Sequence, residues 1–244
     1  MPPQPFRPTL RRSWRLFKAF RQEQADPDHF YDTLARDSID QIQTYAPLAG
    51  KSVLDVGGGP GYFAEVFRAA GARYIPLDAD VGELSSRGLV DDATVIGDGM
   101  QLPFADESLD STYSSNVLEH VVDPWKLADE MVRVTKPGGL IYISYTLWWG
   151  AWGGHETSPW HLFGGHRAAR RYERRHGHPP KNVFGTSLFA ITAADGLRWA
   201  AHQKDAEIVD VLPRYLPAWL HWLVRVPVVR ELVVWNLLIV GRKR

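Results

Sequence analysis

Residues 53–63 read VLDVGGGPGYF, a short apolar run that leads directly into a turn dense in glycine. The run predicts a buried strand over 52–56, and the apolar residues between 61 and 70 predict a helix after the turn. Glycines in such a turn let a ligand approach the backbone, and a helix N-terminus presents unpaired N–H groups. The stretch therefore predicts an α/β fold with a nucleotide-like ligand at the carboxyl end of a strand.

The spacing of the glycines narrows the class of ligand. The dinucleotide fingerprint G-x-G-x-x-G, started at Gly57, needs a third glycine where the chain has Tyr62. Started at Gly58, it fails because the next required glycine is Pro60. The pattern that remains is an acid followed by alternate glycines, at Asp55, Gly57, Gly59 and Gly61.

Two later strands also end in an acid. Residues 73–77 predict a second strand that is followed by Asp78, and residues 93–97 predict a third that is followed by Asp98. Ligands of open α/β sheets bind at the carboxyl edge, where an acid after the second strand can accept both ribose hydroxyls. Each acid has an alternative role as the cap of the next helix. Three acids at one edge favour a ligand crevice.

Five motifs match a known family in order and spacing. They are Asp55 to Gly61, Asp78, Gly97 to Phe104, Ser115 to Val121 and Lys136 to Gly139. As a set they resemble class I S-adenosylmethionine-dependent methyltransferases, in particular the type-11 group, over about residues 50–146. The resemblance implies a Rossmann-like doubly wound fold, S-adenosyl-L-methionine as cofactor, and methyl transfer. It does not identify the methyl acceptor.

The resemblance also implies which residues contact the methionine part of the cofactor. Gly57, Gly59 and Gly61 would border it, and Asp55 would help to hold its ammonium group. Asn116 lies where the family sets a main-chain carbonyl against the same ammonium.

The nucleoside part of the cofactor would contact three later residues. By the same resemblance, Asp78 binds the ribose hydroxyls and Asp98 accepts a hydrogen bond from the adenine amino group. Met100 would form an apolar wall of the adenine slot.

The alternation of strand and helix patterns predicts one mostly parallel sheet of seven strands. The expected strands span 52–56, 73–77, 93–97, 109–115, 139–145, 206–212 and 233–240. The expected helices span 10–21, 28–45, 61–70, 81–88, 124–134 and 192–201. This divides the chain into an N-terminal tail with helices (1–49), a cofactor-binding core (50–146), an inserted lid (147–190) and the C-terminal part of the sheet (191–244).

Composition excludes several classes of function. Lys and Arg total 28 and Asp and Glu total 28, so the formal net charge is zero and no nucleic-acid partner is expected. The chain has no cysteine, which excludes a disulfide framework and a thiolate nucleophile and fits a cytoplasmic protein. The most apolar window, 216–240, carries too many polar residues for a membrane-spanning helix.

Residues 146–181 depart from the strand–helix rhythm. Four of the ten tryptophans lie there: Trp148, Trp149, Trp152 and Trp160. Five arginines follow at spacings that place them on one helical face: Arg167, Arg170, Arg171, Arg174 and Arg175. One interpretation is a solvated helix with aromatic packing. The other is a lid over the acceptor, whose arginines bind phosphate or an anionic lipid surface.

Two further segments share this aromatic and basic character. Residues 10–21 predict an amphipathic helix of the interfacial type, with basic residues, Arg12 among them, around an apolar face. That face is formed by Leu10, Trp14, Phe17 and Phe20. Residues 215–229 add a proline-punctuated stretch rich in Trp and Leu. Together the segments predict a membrane-peripheral protein that binds an anionic membrane surface and a lipid-linked or amphipathic acceptor.

Histidines are the candidate catalytic residues. Methyl transfer is an in-line displacement, so a general base is needed only when the attacking group must lose a proton. His155 is the first candidate, followed by His120 and His161. Glu156 is expected to orient one of these imidazoles. The spacing His-Glu-x4-His is not typical of a metal site, and no metal is expected.

The expected reaction is methylation of a hydroxyl group on a glycan or glycolipid-type small molecule. A quinone-like or other lipid acceptor is the alternative within the same enzyme class. A catalytically inactive cofactor-binding partner protein is the alternative outside it. The complete set of glycines and strand-end acids favours an active enzyme.

Overall fold

The computed structural model describes residues 6–22, 25–80, 82 and 93–244. Seven strands form one sheet in the order β3-β2-β1-β4-β5-β7-β6. Their bounds are β1 (Ser52–Val56), β2 (Arg73–Asp78), β3 (Val95–Ile96), β4 (Leu109–Ser115), β5 (Thr135–Thr146), β6 (Ala206–Pro213) and β7 (Asn236–Lys243). Strand β7 is antiparallel to both neighbours, and every other adjacent pair is parallel. The predicted seven-stranded, mostly parallel sheet is confirmed.

Helices precede the sheet and connect its strands. They are α1 (Leu10–Gln22), α2 (Pro27–Ile42), α3 (Ala64–Ala69), α4 (Pro124–Val134), α5 (Gly165–His176), α6 (Ala193–His202) and α7 (Val229–Val233). Short 3-10 helices occupy 118–120, 155–157, 160–163 and 218–225. The helix predicted at 81–88 falls on residues that, apart from 82, lie outside the described part of the chain.

Local sequence accounts for several of these boundaries. Helix α4 begins as predicted because Asp123 accepts a hydrogen bond from the Lys126 N–H and Pro124 occupies the first helical turn. The final strand begins at Asn236 rather than at Val233, because residues 229–233 form α7. The expectation of a strand over 233–235 was therefore wrong.

The sheet separates two apolar cores. Alternate residues of β5 point to opposite faces, as the pleat of a strand requires. Leu140 and Tyr142 belong to the core under α1, α2 and α3, whereas Ile141 and Ile143 belong to the core under α4 and α6. Both faces of the central strands are covered, and β1 and residues 140–146 of β5 are accordingly buried throughout.

Helix α1 is attached to the sheet domain by a buried ion pair. Its buried residues are Arg12, Leu16, Ala19 and Phe20, whereas Leu10 and Trp14 of the predicted apolar face are exposed. Arg12 donates two hydrogen bonds of 2.7 Å to the carboxylate of Asp37 on α2. It also donates to the carbonyl oxygen of Arg214, which follows β6, at 2.9 Å. The carboxylate neutralises the guanidinium, and this pairing permits the burial of Arg12.

The carboxyl edge of the sheet collects the irregular segments. The chain order reverses between β1 and β4, which is the switch point where ligands of doubly wound sheets bind. The insertion at 147–190 begins where β5 ends, and residues 214–235 begin where β6 ends at the same edge. Within the described ranges, no helix is both long and apolar enough to cross a membrane.

Candidate functional site

The glycine turn after β1 lies at the switch point with its backbone exposed to a ligand. Gly57, Gly59 and Gly61 have φ angles of 81°, 49° and 77°, in the left-handed region that favours glycine. A Cβ atom on Gly57 would lie 2.4 Å from Val117, which follows β4. A Cβ on Gly59 would meet no atom within 4 Å. The space beside Gly57 is therefore filled by Val117, whereas the space beside Gly59 is open.

Asp55 lies beneath this turn rather than in the crevice. Its carboxylate is buried and accepts a hydrogen bond from the Tyr74 hydroxyl. Burial raises the pKa of Asp55 to about 7, against the lowering effect of the Tyr74 hydrogen bond. In this conformation the Asp55 carboxylate lies between the Tyr74 hydroxyl and the backbone of the glycine turn at Gly58.

Asp78 and Asp98 lie at the same edge, as their sequence positions predict. Residue 78 pairs with residue 96 across β2 and β3. Asp78 accepts a hydrogen bond of 3.0 Å from the Gly59 N–H, which joins the end of β2 to the glycine turn. Asp98 is exposed and accepts from the Met100 N–H at 2.8 Å, while Met100 packs partly buried against the core. These residues form one wall of the crevice.

Asn116 forms the opposite wall, at the end of β4. Its φ angle is 57°, and its N–H donates to the Ser144 carbonyl oxygen at 2.8 Å. Its side-chain oxygen accepts from the Asn236 amide at 2.7 Å, and its amide is 3.5 Å from the Tyr215 hydroxyl. Asn116 is thus held by β5, by the start of β7 and by the segment after β6, all of which are distant from it in sequence.

Two of the candidate histidines lie together beyond Asn116. The rings of His120 and His155 are 4.9 Å apart, and His120 Nδ1 is 2.7 Å from the Ser187 carbonyl oxygen. Glu119 joins them: it is buried, and its Oε1 accepts from the Thr146 N–H at 3.1 Å. One ligand atom from each of the three side chains lies within 4.8 Å of the others.

His161 and Glu156 are not part of that group. His161 is buried, with its ring 5.1 Å from Trp148 and its Nδ1 3.3 Å from the Ser158 hydroxyl. Glu156 accepts a hydrogen bond from the Asn182 amide at 2.9 Å, and its other oxygen has no partner among the described residues. The expectation that Glu156 orients a histidine was therefore wrong, because Asn182 takes that hydrogen bond.

Burial keeps the imidazoles of His155 and His161 neutral. Burial, followed by repulsion from His120 and His161, lowers the pKa of His155 to about 3. Burial also lowers the pKa of His161. Both rings are therefore uncharged at pH 7 and retain a nitrogen lone pair.

The tryptophans of the insertion divide into packing and exposed residues. Trp148 is buried, and the ring of Trp152 packs between Phe17 of α1 and Trp235. Trp149 and Trp160 are exposed. Trp148 and Trp152 thus provide the aromatic packing that one of the two interpretations of the sequence predicted.

The arginine row, defined as Arg167, Arg170, Arg171, Arg174 and Arg175, lies on α5 with every member exposed. Arg171 stacks over the ring of Trp160 at 3.9 Å from its centroid. Within the part of the chain that the structure describes, no carboxylate forms an ion pair with the row. The predicted single helical face of arginines is confirmed.

Sequence comparison with known proteins identifies the family of this chain. The sequence model of the methyltransferase domain matches residues 54–143. A protein of Mycobacterium tuberculosis named an uncharacterized methyltransferase is 52% identical, covering 96% of this chain and 95% of its own length. A methyltransferase of Mycobacteroides abscessus is 50% identical over 98% of this chain and 96% of its own. The chain belongs to this methyltransferase family.

Solved structures agree with the family on the fold. The S-adenosylmethionine-dependent methyltransferase of Mesorhizobium loti superposes with a TM-score of 0.56 at 18% identity, covering 85% of this chain and 98% of that one. Geranyl diphosphate C-methyltransferase of Streptomyces coelicolor, solved with S-adenosyl-L-homocysteine, gives 0.54 at 14% identity, covering 85% and 78%. The chain shares the fold of these S-adenosylmethionine-dependent enzymes.

The crevice of the methyltransferase fits this cofactor. The open space above Gly59 admits a ligand to the backbone, and the carboxylates of Asp78 and Asp98 provide acceptors for hydroxyl and amino groups. When bound, the cofactor supplies an electrophilic methyl group on sulfur. The chain's own residues then have to orient the acceptor and remove its proton where it carries one.

Sequence reasoning did not single out two residues of this methyltransferase. Glu119 was read only as part of a family motif, and nothing local indicates that it meets His155. Arg214 is fully buried and donates to the hydroxyls of Ser115, Ser144 and Ser38 at 2.7, 2.5 and 2.6 Å. It ties the ends of β4 and β5 to α2, and its position directly after a predicted strand was the only available signal.

Proposed function

We propose that this methyltransferase transfers the methyl group to a hydroxyl oxygen of a glycan or glycolipid-type acceptor that it takes from an anionic membrane surface. The observation that carries the proposal is that three segments with exposed aromatic or basic residues meet at the carboxyl edge: α1, the insertion and residues 218–225. The enzyme would act at the cytoplasmic face of the membrane without spanning it.

Three segments that are far apart in sequence join to make this surface. The Ala218 N–H donates to the Pro8 carbonyl oxygen at 2.7 Å, which places residues 218–225 beside the start of α1. Phe17 of α1 meets Trp152 of the insertion edge to face, with centroids 5.1 Å apart. All three segments therefore lie at the edge where the acceptor has to enter.

Large apolar side chains on this surface face solvent. Trp14 is 57% exposed, Trp219 is 65% exposed and Trp222 is 55% exposed. We call these three, together with Leu10, the aromatic surface. Tryptophans with one wet face suit the headgroup region of a bilayer, where amphipathic rings are stable.

The arginine row supplies the charge that such a surface needs. Its five guanidinium groups are exposed, and the described residues offer them no carboxylate partner. Unpaired arginines can bind phosphate groups through two hydrogen bonds each, as a planar guanidinium does well. Each basic residue near an anionic membrane contributes about 1 kcal/mol of attraction.

The histidines support a hydroxyl as the attacking group. In the reaction the acceptor O–H bond breaks, the oxygen forms a bond to the methyl carbon, and the carbon–sulfur bond breaks with its electron pair staying on sulfur. The proton needs an acceptor, and the neighbouring imidazoles of His120 and His155 are the candidates beside the crevice. An acceptor that carries no such proton would have no use for them.

Transfer of labelled methyl from the cofactor into fractions of a mycobacterial extract tests the proposal, since the relatives are mycobacterial. We expect label in the organic-soluble fraction, in a product that survives mild alkali as an ether does and an ester does not. Label confined to water-soluble products would contradict the membrane acceptor. Label in a quinone-like chromophore would replace the glycolipid by another lipid, and cofactor binding without transfer to any fraction would indicate an inactive partner protein.

A further inference from the structure

Two buried polar atoms beside the cofactor crevice have no hydrogen-bond partner among the described residues. They are Glu119 Oε2 and His155 Nε2. A buried polar atom left without a partner costs about 1–3 kcal/mol, so such atoms usually mark a ligand or a functional group. Both atoms belong to side chains that approach His120.

We propose that Glu119, His120 and His155 bind one divalent transition-metal ion, of which Zn²⁺ is the representative. One ligand atom from each lies within 4.8 Å of the others. Tetrahedral ligands around Zn²⁺ at 2.0–2.1 Å are about 3.4 Å apart. Small side-chain rotations therefore close the group onto one ion, which would also satisfy both unpaired atoms.

The neighbours of the three side chains already orient them as metal ligands. His120 Nδ1 is 2.7 Å from the Ser187 carbonyl oxygen, which fixes the hydrogen on Nδ1 and leaves Nε2 with a free lone pair. Glu119 Oε1 is held by the Thr146 N–H, which leaves Oε2 for the ion. Hydrogen bonds of this kind behind the ligands are the usual support of a metal site.

The donor set selects the class of ion. Two imidazole nitrogens and one carboxylate oxygen suit Zn²⁺, Mn²⁺, Fe²⁺ or Co²⁺, whereas Mg²⁺ and Ca²⁺ prefer ligand sets made of oxygen alone. Three protein ligands leave at least one coordination position open, as in catalytic rather than structural sites. The sequence expectation of no metal considered only His155, Glu156 and His161, and that set is not the one that the fold brings together.

The open position gives the ion a role in the reaction, and this step rests on the proposed hydroxyl acceptor. An acceptor oxygen bound to the ion would have a lower pKa, so its proton leaves to water and the bound oxygen attacks the methyl carbon. Coordination uses the lone pair of His155 that a general base would use. The ion therefore replaces His155 as the means of activating the hydroxyl.

Metal binding can be measured without any acceptor, so its outcome is independent of the acceptor's identity. Full-length protein stripped with a chelator is titrated with Co²⁺, followed by its visible absorption, and with Zn²⁺ by calorimetry. We expect one ion per chain. Glu119→Gln, His120→Ala and His155→Ala should each weaken binding by at least about 100-fold, since even second-shell changes cost 10–100-fold.

His178→Ala is the matched control, because His178 is an exposed histidine of the same insertion. It should bind the ion as the unsubstituted chain does. The affinity of each variant for S-adenosyl-L-methionine shows that the variant is folded. If a histidine variant does not fold, the nearly isosteric Glu119→Gln decides on its own if the metal site exists. Absence of binding at micromolar ion, unchanged affinity in Glu119→Gln, or loss only in His178→Ala would overturn the site.

Discussion

The two sides of the carboxyl edge are built in different ways. On the cofactor side, the residues that the family resemblance assigns to the cofactor lie at strand ends: the glycine turn follows β1, Asp78 ends β2 and Asp98 follows β3. On the acceptor side, the groups that meet come from distant parts of the chain. Glu119 meets His155, and Pro8 meets Ala218.

The difference shows that the two sides depend on different features of the sequence. The cofactor side depends on backbone conformation and strand ends, which a short motif specifies. The acceptor side depends on the packing of α1, the insertion and residues 214–235 against one another. Substitutions on one side should therefore leave the other side unchanged.

The attachment of α1 is the point where the acceptor side should break most easily. Asp37→Asn leaves the buried Arg12 without its counter-charge, which should lower the free energy of unfolding by about 3–5 kcal/mol. Urea unfolding measures this. In the folded variant, cofactor affinity should stay within about twofold, because neither Arg12 nor Asp37 forms a hydrogen bond with the glycine turn, Asp78 or Asp98.

Asp32→Asn is the control for that variant. Asp32 lies on the same helix and pairs with Arg36 at 2.9 Å, but both side chains are largely exposed. Its loss should cost no more than about 0.5 kcal/mol. Equal destabilisation by the two substitutions would show that the buried pair does not hold α1.

Asp55 should give the cofactor side a distinctive pH dependence. Its folded pKa is raised to about 7, so between about pH 4 and pH 7 the folded state keeps a proton that the unfolded state has lost. The contribution of Asp55 to stability therefore falls as pH rises through this window.

Asp55→Asn should remove this fall. Relative to the unsubstituted chain, the variant should gain up to about 4 kcal/mol between pH 4 and pH 8, measured by urea unfolding at several pH values. A difference that stays constant with pH would mean that Asp55 is ionised in the folded protein.

Asp78 tests the ribose contact. Asp78→Ala should weaken cofactor binding by about 1–3 kcal/mol through the loss of charge-assisted hydrogen bonds, as measured by calorimetry. Asp80→Ala, two residues further along, should leave the affinity unchanged. Unchanged affinity in Asp78→Ala would refute the assignment of Asp78 to the ribose.

Gly59 tests how closely the cofactor approaches the backbone. Gly59→Ala and Gly138→Ala both place a side chain at positive φ with no atom within 4 Å. Each should cost about 1–2 kcal/mol of stability. Only Gly59→Ala should also weaken cofactor binding, and an equal effect of both variants on affinity would contradict the open space as the cofactor site.

The features that the sequence predicted correctly are the local ones. Strand β1 and helix α4 have the predicted bounds, because each is specified by its own apolar pattern and its flanking turn or cap. The arginine row was likewise visible from spacing alone. These features depend on residues within a few positions of one another.

Apart from the start of the last strand, the corrected predictions concern contacts between distant residues. Burial of Arg12 depends on Asp37, and the Glu156 carboxylate accepts its hydrogen bond from Asn182. In both cases the partner is at least 25 positions away in the sequence. A single sequence carries no local signal of such a partner.

Binding to lipid vesicles tests directly if the acceptor side faces an anionic membrane. The protein is floated with vesicles of phosphatidylcholine and phosphatidylglycerol at low salt, beside two double variants of equal charge change. Arg170→Glu/Arg174→Glu alters the arginine row, and Lys51→Glu/Lys204→Glu alters exposed residues at the opposite edge of the sheet.

We expect the unsubstituted chain and the lysine variant to float with the vesicles. The arginine variant should lose at least about tenfold in affinity, since each basic residue near the surface contributes about 1 kcal/mol. Failure of the unsubstituted chain to bind, or equal loss in both variants, would contradict a membrane-facing acceptor side.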